Sequence, residues 1–292
     1  MRPAASIVIV NYNAGSHVRR CLASVTAHAA LPVEIVVVDN ASSDGSLEHL
    51  PREPGIHVLR NTVNIGFGAA VNQGVRATTG SLVLVLNPDC ELTAGALPRL
   101  VRESVMEPGC AVVAPIVFNE DGSYQGNARG DPGMLAGLLG RSRALTRRFP
   151  RLAVGTQQVV PADAAGEASS IPVDWVSGAC LLARREAFEH VGGFDEGYFL
   201  FWEDADLCRR LRGAGFTIRF CPEARVVHTV GVSRRTAPER AIRAFHQGAE
   251  RYYTTHVAPS RWSPRRWLAV AILRARCWLA LRGVRKHLGV RS

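Results

Sequence analysis

The amino-acid sequence predicts an α/β protein with a mostly parallel sheet flanked by helices. Short apolar, β-branched runs alternate with segments of helical character, and this alternation is typical of βαβ units. The apolar runs lie at 6–10, 34–38, 57–59 and 82–86, and the helical segments lie at 16–27, 43–50, 67–77 and 95–105. A further apolar run at 111–117 continues the predicted sheet.

The pattern changes after this run. Residues 119–172 are rich in Gly, Pro, Ser and Arg without a strong strand pattern, which indicates an irregular excursion. Regular structure is predicted again at 173–184, then with a helix start at 203–215, and then at 217–228. We therefore predict one domain over 1–233, followed by a C-terminal extension.

The composition is that of a globular protein, and 292 residues can bury a substantial core. The opening apolar run is too short for a signal peptide, and no stretch approaches the roughly 18 uncharged residues that a membrane-spanning helix needs. The seven cysteines are scattered without a CxxC pair, which argues against a disulfide framework or a zinc site. We therefore expect a cytoplasmic protein.

The net charge of +10 is concentrated at the C-terminus. Residues 234–292 contain fourteen Arg or Lys and two acids, a balance of +12, whereas residues 1–233 carry −2. Such a basic extension attracts polyanions, either nucleic acid or an anionic membrane surface. Within it, 261–288 holds three of the five tryptophans among arginines. As a helix, this stretch can lie in a membrane interface or pack back on the domain.

Polar side chains follow each of the first four apolar runs. They are Asn11, Tyr12 and Asn13, then Asp39 and Asn40, then Asn61 and Asn64, and finally Asn87 and Asp89. Turn propensity alone explains Asn and Asp after a strand. In open α/β sheets, however, ligands bind beyond the carboxyl ends of the strands, so four polar strand ends in succession favour a shared polar cleft.

Two common nucleotide-binding motifs are missing. The first strand is followed by NYNAGSHVRR instead of GxGxxG, and the only lysine, Lys286, rules out GxxxxGK[ST]. What remains is a nucleotide site without a glycine-rich loop, in which Asp39 accepts hydrogen bonds from a base or ribose. A divalent cation would neutralise the diphosphate. Pro88 restricts the backbone before Asp89, which suits this carboxylate to bind Mg²⁺ or Mn²⁺.

Several motifs together resemble the family 2 glycosyltransferases, in particular their rhamnosyltransferase-like branch. In chain order they read SIVIVNYN, EIVVVDNASSDGS, NIGFGAAVNQG, LNPDCEL, VSGACLLARREAFEHVGGFDEGYFLFWEDADLCRRLRGAGF and VVHTVGVS. The resemblance covers about residues 1–235, with 119–172 the least matched. It implies a GT-A fold with a Rossmann-like sheet, a nucleotide-sugar donor, a divalent metal, and inverting single-displacement chemistry.

The resemblance also implies metal ligands and a general base. Asp89 matches the last aspartate of the DxD motif, Asn87 replaces its first acid, and His228 matches a histidine that completes the metal shell. Asp204 matches the general base, and Glu203 is the second candidate. Considered without the resemblance, acids in the first turn of a helix equally stabilise its dipole, and a lone histidine after a strand is more often a surface residue.

The predicted donor-binding residues come from the same resemblance. They are Asn11, Tyr12, Asn13, Asp39, Asn40, Asn64, Gly66, Asn72, Asn87 and Gly178. Asp39 and Asn11 are expected to hold the base and ribose, and Gly178 to leave room for the sugar. Gly66 either lets the nucleotide approach closely or turns the chain into a helix.

These features predict an inverting glycosyltransferase that moves a sugar to a lipid-linked or polysaccharide acceptor, with L-rhamnose from dTDP-L-rhamnose as the leading donor. We expect it to be peripheral at the inner face of the plasma membrane, with the basic C-terminal extension on the anionic surface. One alternative is a catalytically silent scaffold, suggested by Asn87. Another is a nucleic-acid-binding protein, although the acids at the strand ends would repel phosphate, and we expect no nucleic-acid partner.

Overall fold

The computed structural model describes residues 4–48, 50, 55–130, 159–164, 168–229 and 238–287. The strands are β1 (Ala5–Asn11), β2 (Val33–Asp39), β3 (Ile56–Arg60), β4 (Leu82–Leu86), β5 (Cys90–Leu92), β6 (Cys110–Phe118), β7 (Ala128–Arg129), β8 (Ile171–Val173), β9 (Trp175–Val176), β10 (Cys180–Arg184) and β11 (Thr217–His228). The main sheet has nine strands in the order β3-β2-β1-β4-β10-β6-β11-β5, with β8 also paired to β11. The short strands β7 and β9 form a separate pair.

One half of the main sheet is parallel and the other half is mixed. β1 pairs in parallel with β2 and β4, and β2 pairs in parallel with β3. β10 is antiparallel to both β4 and β6, whereas β11 is parallel to β6. Consequently the carboxyl ends of β1, β2, β4, β6 and β11 lie at one edge of the sheet together with the amino end of β10. We call this edge the carboxyl edge.

Helices cover both faces of the sheet. They are α1 (His17–His28), α2 (Phe67–Arg76), α3 (Ala96–Met106), α4 (Arg185–His190), α5 (Glu203–Gly213), α6 (Pro238–Tyr252) and α7 (Pro264–His287), with a π-helical turn at Tyr253–Val257. Side chains of α1 and α3 form one core with the sheet, and side chains of α2, α4 and α5 form the other.

The apolar run of β4 is explained by this arrangement. Leu84 packs into the core that contains α1 and α3, while Val83 and Val85 pack into the core on the opposite face. Successive side chains of a strand point to opposite faces, so a strand covered on both faces is apolar at every position. All five residues of β4 are buried accordingly.

The predicted helix at 43–50 is wrong. Residues 43–48 form a bend and a turn that Asp44 stabilises. Its Oδ2 accepts a hydrogen bond from the backbone N–H of Gly15 (2.7 Å), and its Oδ1 accepts one from the N–H of Ser46 (3.0 Å). An aspartate that bonds nearby backbone groups in this way offers the chain an alternative to helix. The other strands and helices predicted up to residue 118 are present.

The segment 119–172 is not irregular throughout. It contributes β7, which pairs with β9, and the start of β8, which pairs with β11. Strands of two or three residues are too short to show a periodic pattern in the sequence. Residues 131–158 and 165–167 of this segment lie outside the described residues.

The helices α6 and α7 follow the predicted domain boundary at 233/234, which itself lies outside the described residues. α6 packs on the body of the protein, where Phe245 and Tyr252 contact the ring of Trp202. Leu273 of α7 belongs to the same buried cluster. In the part of the chain that the structure describes, no helix has the length and apolar character to cross a membrane.

Candidate active site

A buried polar network joins the ends of β1 and β2. Asn11 and Asp39 are paired in register, and Asn11 Nδ2 donates a hydrogen bond to Asp39 Oδ1 (2.9 Å). The same nitrogen lies 2.8 Å from Ser46 Oγ and 3.0 Å from Ser42 Oγ. Asn11 Oδ1 is buried without a hydrogen-bond partner among the described residues. The network fixes the Asp39 carboxylate at the carboxyl edge.

Asparagine side chains also hold the loops beside this network. Asn13 has a left-handed φ of 49°, and its Oδ1 accepts a hydrogen bond from the N–H of Ser43 (2.8 Å). Asn40 Nδ2 donates to Asn64 Oδ1 (3.0 Å) and to the carbonyl oxygen of Gly66 (3.0 Å). Asparagine tolerates left-handed backbone better than most residues. The loops that border Asp39 are therefore held by amides that follow β1, β2 and β3.

Asp89 and His228 meet at another part of the carboxyl edge. The strand β5, which follows Asp89, pairs with the end of β11 and sets His228 opposite Cys90. Asp89 Oδ1 lies 3.1 Å from His228 Nε2, and both side chains are largely buried. The N–H of Thr229 donates to the carbonyl oxygen of Asp89 (2.9 Å).

Gln125 orients His228 from the opposite side of the ring. His228 Nδ1 lies 2.9 Å from Gln125 Oε1, and Gln125 Nε2 donates to the carbonyl oxygen of His228 (2.8 Å). This leaves Nε2 beside Asp89. Metal-binding histidines are usually held through their other nitrogen in this way.

The donor set fits a divalent metal. The ligand atoms of Asp89, Cys90 and His228 all lie within 4.8 Å of one another. Carboxylate oxygens suit Mg²⁺ and Mn²⁺, and imidazole extends the set to other divalent ions. Burial raises the pKa of the Cys90 thiol well above its usual range. Since the thiolate is the form that binds metals, Cys90 is a weaker ligand than the other two.

A second turn presents Glu203 and Asp204. Phe201 and Trp202, which precede α5, have left-handed φ values of 69° and 73°. Bulky L residues rarely adopt this conformation, and strain of this kind clusters at functional sites. The turn places Asp204 Oδ2 3.0 Å from the backbone nitrogen of Gly178, whose N–H donates to it.

One backbone segment connects the two carboxylate turns. Gly178 and Ala179 directly precede β10, and the carbonyl oxygen of Ala179 accepts a hydrogen bond from the N–H of Asn87 (2.8 Å). The backbone carbonyl oxygen of Asn87 in turn accepts a hydrogen bond from the N–H of Cys90 (3.1 Å). Asp204 is therefore linked through two backbone residues to the turn that carries Asp89.

Burial changes the acidity of both acids in the second turn. Burial raises the pKa of Glu203 well above its usual range, and the negative charge of Asp204 adds to this effect. Glu203 Oε2 has no hydrogen-bond partner in the described part of the chain. Burial also raises the pKa of Asp204, although backbone N–H groups and the charge of Arg129 oppose it. A raised pKa brings a carboxylate closer to the working range of a general base.

The third acid of α5 has a structural role. Asp206 Oδ1 lies 2.6 Å from His256 Nε2, and its Oδ2 accepts a hydrogen bond from Arg210 Nε (2.7 Å). Although burial favours the protonated acid, these partners lower the pKa of Asp206. His256 belongs to the π-helical turn after α6, so this pair ties α5 to the C-terminal extension.

Two further predicted donor residues, Asn72 and Gly66, also make contacts within the protein. Asn72 Oδ1 accepts a hydrogen bond from the N–H of Phe194 (3.0 Å), and its Nδ2 donates to the Phe194 carbonyl (2.9 Å). Gly66 has a φ of 94°, and a Cβ added to it would lie 2.8 Å from the carbonyl oxygen of Phe199. Both residues hold α2 against the loop before α5. Their part in donor binding, like that of the half-buried Tyr12, stays a prediction.

Sequence motifs do not single out Gln125, Arg129 or His256. Gln125 acts on a histidine 103 positions away, and Arg129 acts on Asp204 through space. Both lie in the 119–172 segment, where the sequence pattern is weakest. Only the folded chain brings them to the site.

Two family models match the chain. Residues 6–192 match the Glycosyl transferase family 2 model, and residues 143–287 match a model described as Glycosyl transferase family group 2. The chain is also 33% identical to the N-acetylglucosaminyl-diphospho-decaprenol L-rhamnosyltransferase of Mycobacterium tuberculosis. That alignment covers 100% of this chain and 94% of the relative.

Solved structures share the fold. The mannosyltransferase PcManGT from Pyrobaculum calidifontis, in complex with GDP-Man and Mn²⁺, has a TM-score of 0.56 at 17% identity and is matched over 100% of this chain and 77% of that chain. GalNAc-T7 with UDP, GalNAc and Mn²⁺ has a TM-score of 0.55 at 16% identity, over 88% of this chain and 57% of that chain. These neighbours confirm the GT-A fold. With a family model over residues 6–192 and a full-length rhamnosyltransferase relative, the chain belongs to glycosyltransferase family 2.

Proposed function

We propose that this protein transfers L-rhamnose from dTDP-L-rhamnose to a lipid-linked or polysaccharide acceptor, with inversion at the anomeric carbon. The observation that carries the proposal is the meeting of two carboxylate turns at the carboxyl edge. One holds Asp89 beside His228, and the other holds Asp204 against Gly178. A diphosphate near Asp89 and an acceptor hydroxyl near Asp204 would then lie on two sides of one sugar. The rhamnosyltransferase relative supports the choice of sugar.

The donor nucleotide is assigned to the corner formed by Asn11 and Asp39. Asp39 accepts hydrogen bonds from the base or ribose, and the unpartnered Asn11 Oδ1 is a further acceptor. β1 lies between β2 and β4, so Asp39 is two strand spacings, about 10 Å, from the strand that leads to Asp89. A nucleoside diphosphate can span that distance. The remaining proposed donor contacts are Tyr12, Asn13, Asn40, Asn64, Gly66, Asn72, Asn87 and Gly178.

Asp89 and His228 are the proposed ligands of the divalent metal, Mg²⁺ or Mn²⁺. When bound there, the ion supplies positive charge at the leaving diphosphate. Asp89 would bind through its carboxylate and His228 through Nε2, while Gln125 keeps the imidazole ring in place. Asn87 offers a neutral amide where the DxD motif has its first acid, so the negative charge of the ligand set comes from Asp89.

Asp204 is the proposed general base. As the acceptor oxygen bonds to the anomeric carbon, the bond from that carbon to the diphosphate oxygen breaks and the hydroxyl proton passes to the Asp204 carboxylate. A single displacement forms no covalent sugar intermediate, so one base suffices. Burial raises the pKa of Asp204, which improves its match to this task. Glu203 is the second candidate. It is buried, and burial raises its pKa well above the usual range.

The proposed acceptor is anchored in a membrane. The name of the Mycobacterium tuberculosis relative specifies a decaprenol-linked diphosphate sugar. We place this enzyme, by analogy, as a peripheral protein at the inner face of the plasma membrane. There the active site can reach a head group whose lipid tail stays in the bilayer.

A donor panel tests the proposal. With Mn²⁺ present, we expect dTDP-L-rhamnose to raise the melting temperature more than dTDP-glucose, UDP-GlcNAc or GDP-mannose, because specific binding stabilises the native state. Transfer to a short-chain polyprenyl-diphosphate sugar should give a linkage of opposite anomeric configuration to the donor, as read by NMR. A larger shift with another sugar nucleotide, or retention of configuration, would contradict the proposal.

A further inference from the structure

The solvent-facing side of α7 carries large apolar side chains among exposed arginines. Trp267 and Leu268 expose 63% and 64% of their surface, and about three turns further along Trp278 and Leu279 expose 51% and 60%. At 3.6 residues per turn, the exposed alanines between these pairs fall on the same side of the helix. We call this side the outer face of α7, and it consists of Trp267, Leu268, Ala271, Ala275, Trp278 and Leu279. Apolar patches left in solvent mark sites of interaction.

The opposite side of α7 is held on the protein. Ala269 and Leu273 are 1% and 2% exposed and belong to buried clusters with α6 and the π-helical turn. Arg266 Nη1 donates to the carbonyl oxygen of Thr254 (2.8 Å), and Arg274 pairs with Glu250 (2.8 Å). Because the inner side is anchored, the outer face cannot be buried by a simple rotation of the helix.

Positive charge surrounds the outer face. After Glu250, the sequence contains ten Arg or Lys residues and no Asp or Glu. The guanidinium carbon of Arg282 lies 3.5 Å from the centroid of the Trp278 ring. Arg265 is exposed on the first turn of the helix. The surface therefore combines aromatic and aliphatic side chains with cations, of which Arg274 is paired with Glu250.

We propose that the outer face of α7 docks on an anionic phospholipid surface. A helix of 24 residues is about 36 Å long and would lie in the plane of the interface. Its tryptophans fit the head-group level, its leucines reach the acyl-chain boundary, and its arginines attract lipid phosphates. Docking would bring the active site to a lipid-linked acceptor, and this purpose rests on the proposed function. The binding itself is measured without any substrate.

An anionic bilayer accounts for both the apolar side chains and the arginines of this surface, whereas the other possible partners account for only one of the two. A second copy of the chain would cover the leucines but would bring two sets of arginines together. Nucleic acid would neutralise the arginines but would leave Leu268 and Leu279 in water. An anionic bilayer buries the apolar side chains and satisfies the charge in a single arrangement.

Co-sedimentation of the full-length protein with vesicles tests the proposal. We expect binding to vesicles of equal parts phosphatidylglycerol and phosphatidylcholine, and much less to phosphatidylcholine alone. The pair Trp267→Ser and Trp278→Ser should weaken binding at least about tenfold. Replacing Arg265 and Arg282 by Gln should weaken it about 25-fold, since each arginine near such a surface contributes about fivefold. High salt should weaken it further in the wild type, because exposed charges are then screened.

The matched control is Val105→Ser with Met106→Ser on α3, whose side chains expose 65% and 69%. This variant should bind as the wild type does. Equal vesicle binding by the tryptophan variant would overturn the proposal. So would a wild-type dimer that the tryptophan variant dissociates, or DNA binding that exceeds vesicle binding. Vesicle binding by a protein that transfers no sugar would contradict the proposed function and leave the docking surface intact.

Discussion

The two carboxylate turns of the site are held by different kinds of structure. Asp89 follows the buried strand β4 and is held by the strand pairing of β5 with β11, which brings His228 to it. Asp204 lies on a turn with two left-handed residues, and that turn is held by side-chain packing. The end proposed to bind the diphosphate is therefore part of the sheet, whereas the end proposed to accept a proton depends on the helices around it.

The helix α6 packs tightly against this turn. A Cβ added to Gly248 would lie 2.8 Å from the carbonyl oxygen of Phe201 and 3.0 Å from Trp202 Cδ1. The rings of Trp202 and Tyr252 are 5.3 Å apart between centroids, and Arg251 pairs with Asp195 (2.8 Å) in the loop before α5. The strained turn therefore rests against the C-terminal extension.

The largest effect is expected at the turn held by the sheet. Asp89→Ala removes the proposed charged ligand, and we expect sugar transfer to fall on the order of 1000-fold at every Mn²⁺ concentration, because the leaving diphosphate would lose its counter-charge. Glu91→Ala is the matched control: the Glu91 side chain is half-buried and pairs with Arg20 (3.4 Å), so its loss should change the rate less than twofold. Recovery of the Asp89 variant at high Mn²⁺ would contradict the assignment.

A smaller but still large effect is expected at the turn held by packing. Asp204→Asn keeps the shape of the side chain and removes the proposed base, so kcat should fall about 100-fold while the donor KM changes little. Steady-state kinetics at saturating acceptor measure both. If Glu203→Gln instead shows the collapse and Asp204→Asn does not, the two acids exchange roles.

Gly248→Ala tests whether packing of α6 matters for the base. Alanine favours a helix over glycine by about 1 kcal/mol, so helix propensity alone predicts a gain in stability. We expect kcat to fall about tenfold with the donor KM unchanged, because the added Cβ displaces the Phe201–Trp202 turn. Gly213→Ala is the control, since a Cβ there meets nothing within 4 Å. Equal kinetics for both variants would separate α6 from catalysis.

The smallest effect is expected in the pH dependence of stability. Burial raises the pKa of Glu203, so above its ordinary pKa of about 4.3 the folded state binds more protons than the unfolded state. The free energy of unfolding of the wild type therefore decreases as pH rises from that value toward the raised pKa. Glutamine does not titrate, so Glu203→Gln should lose less stability over this range. If the melting temperatures of the wild type and of Glu203→Gln change with pH in the same way, the pKa of Glu203 is not raised in the folded state.

The predictable parts of the fold and site are those whose signal lies in neighbouring residues of the sequence. Asn11, Asp39 and Asp89 directly follow apolar runs, and parallel strands necessarily bring their carboxyl ends to one edge. Gln125 and Gly248 act through contacts between distant parts of the chain, and their neighbours in sequence carry no motif. The same reason explains the error at 43–50, where hydrogen bonds from Gly15 and Ser46 to Asp44 outweighed helix propensity.

The division of roles between the two turns is tested most directly by calorimetric titration of dTDP-L-rhamnose in the presence and absence of Mn²⁺. The account predicts that Asp89→Ala loses the Mn²⁺-dependent part of the donor affinity. It also predicts that Asp204→Asn binds the donor within about twofold of the wild type, since a base acts on the acceptor. Loss of Mn²⁺-dependent binding in Asp204→Asn, with binding retained in Asp89→Ala, would contradict it.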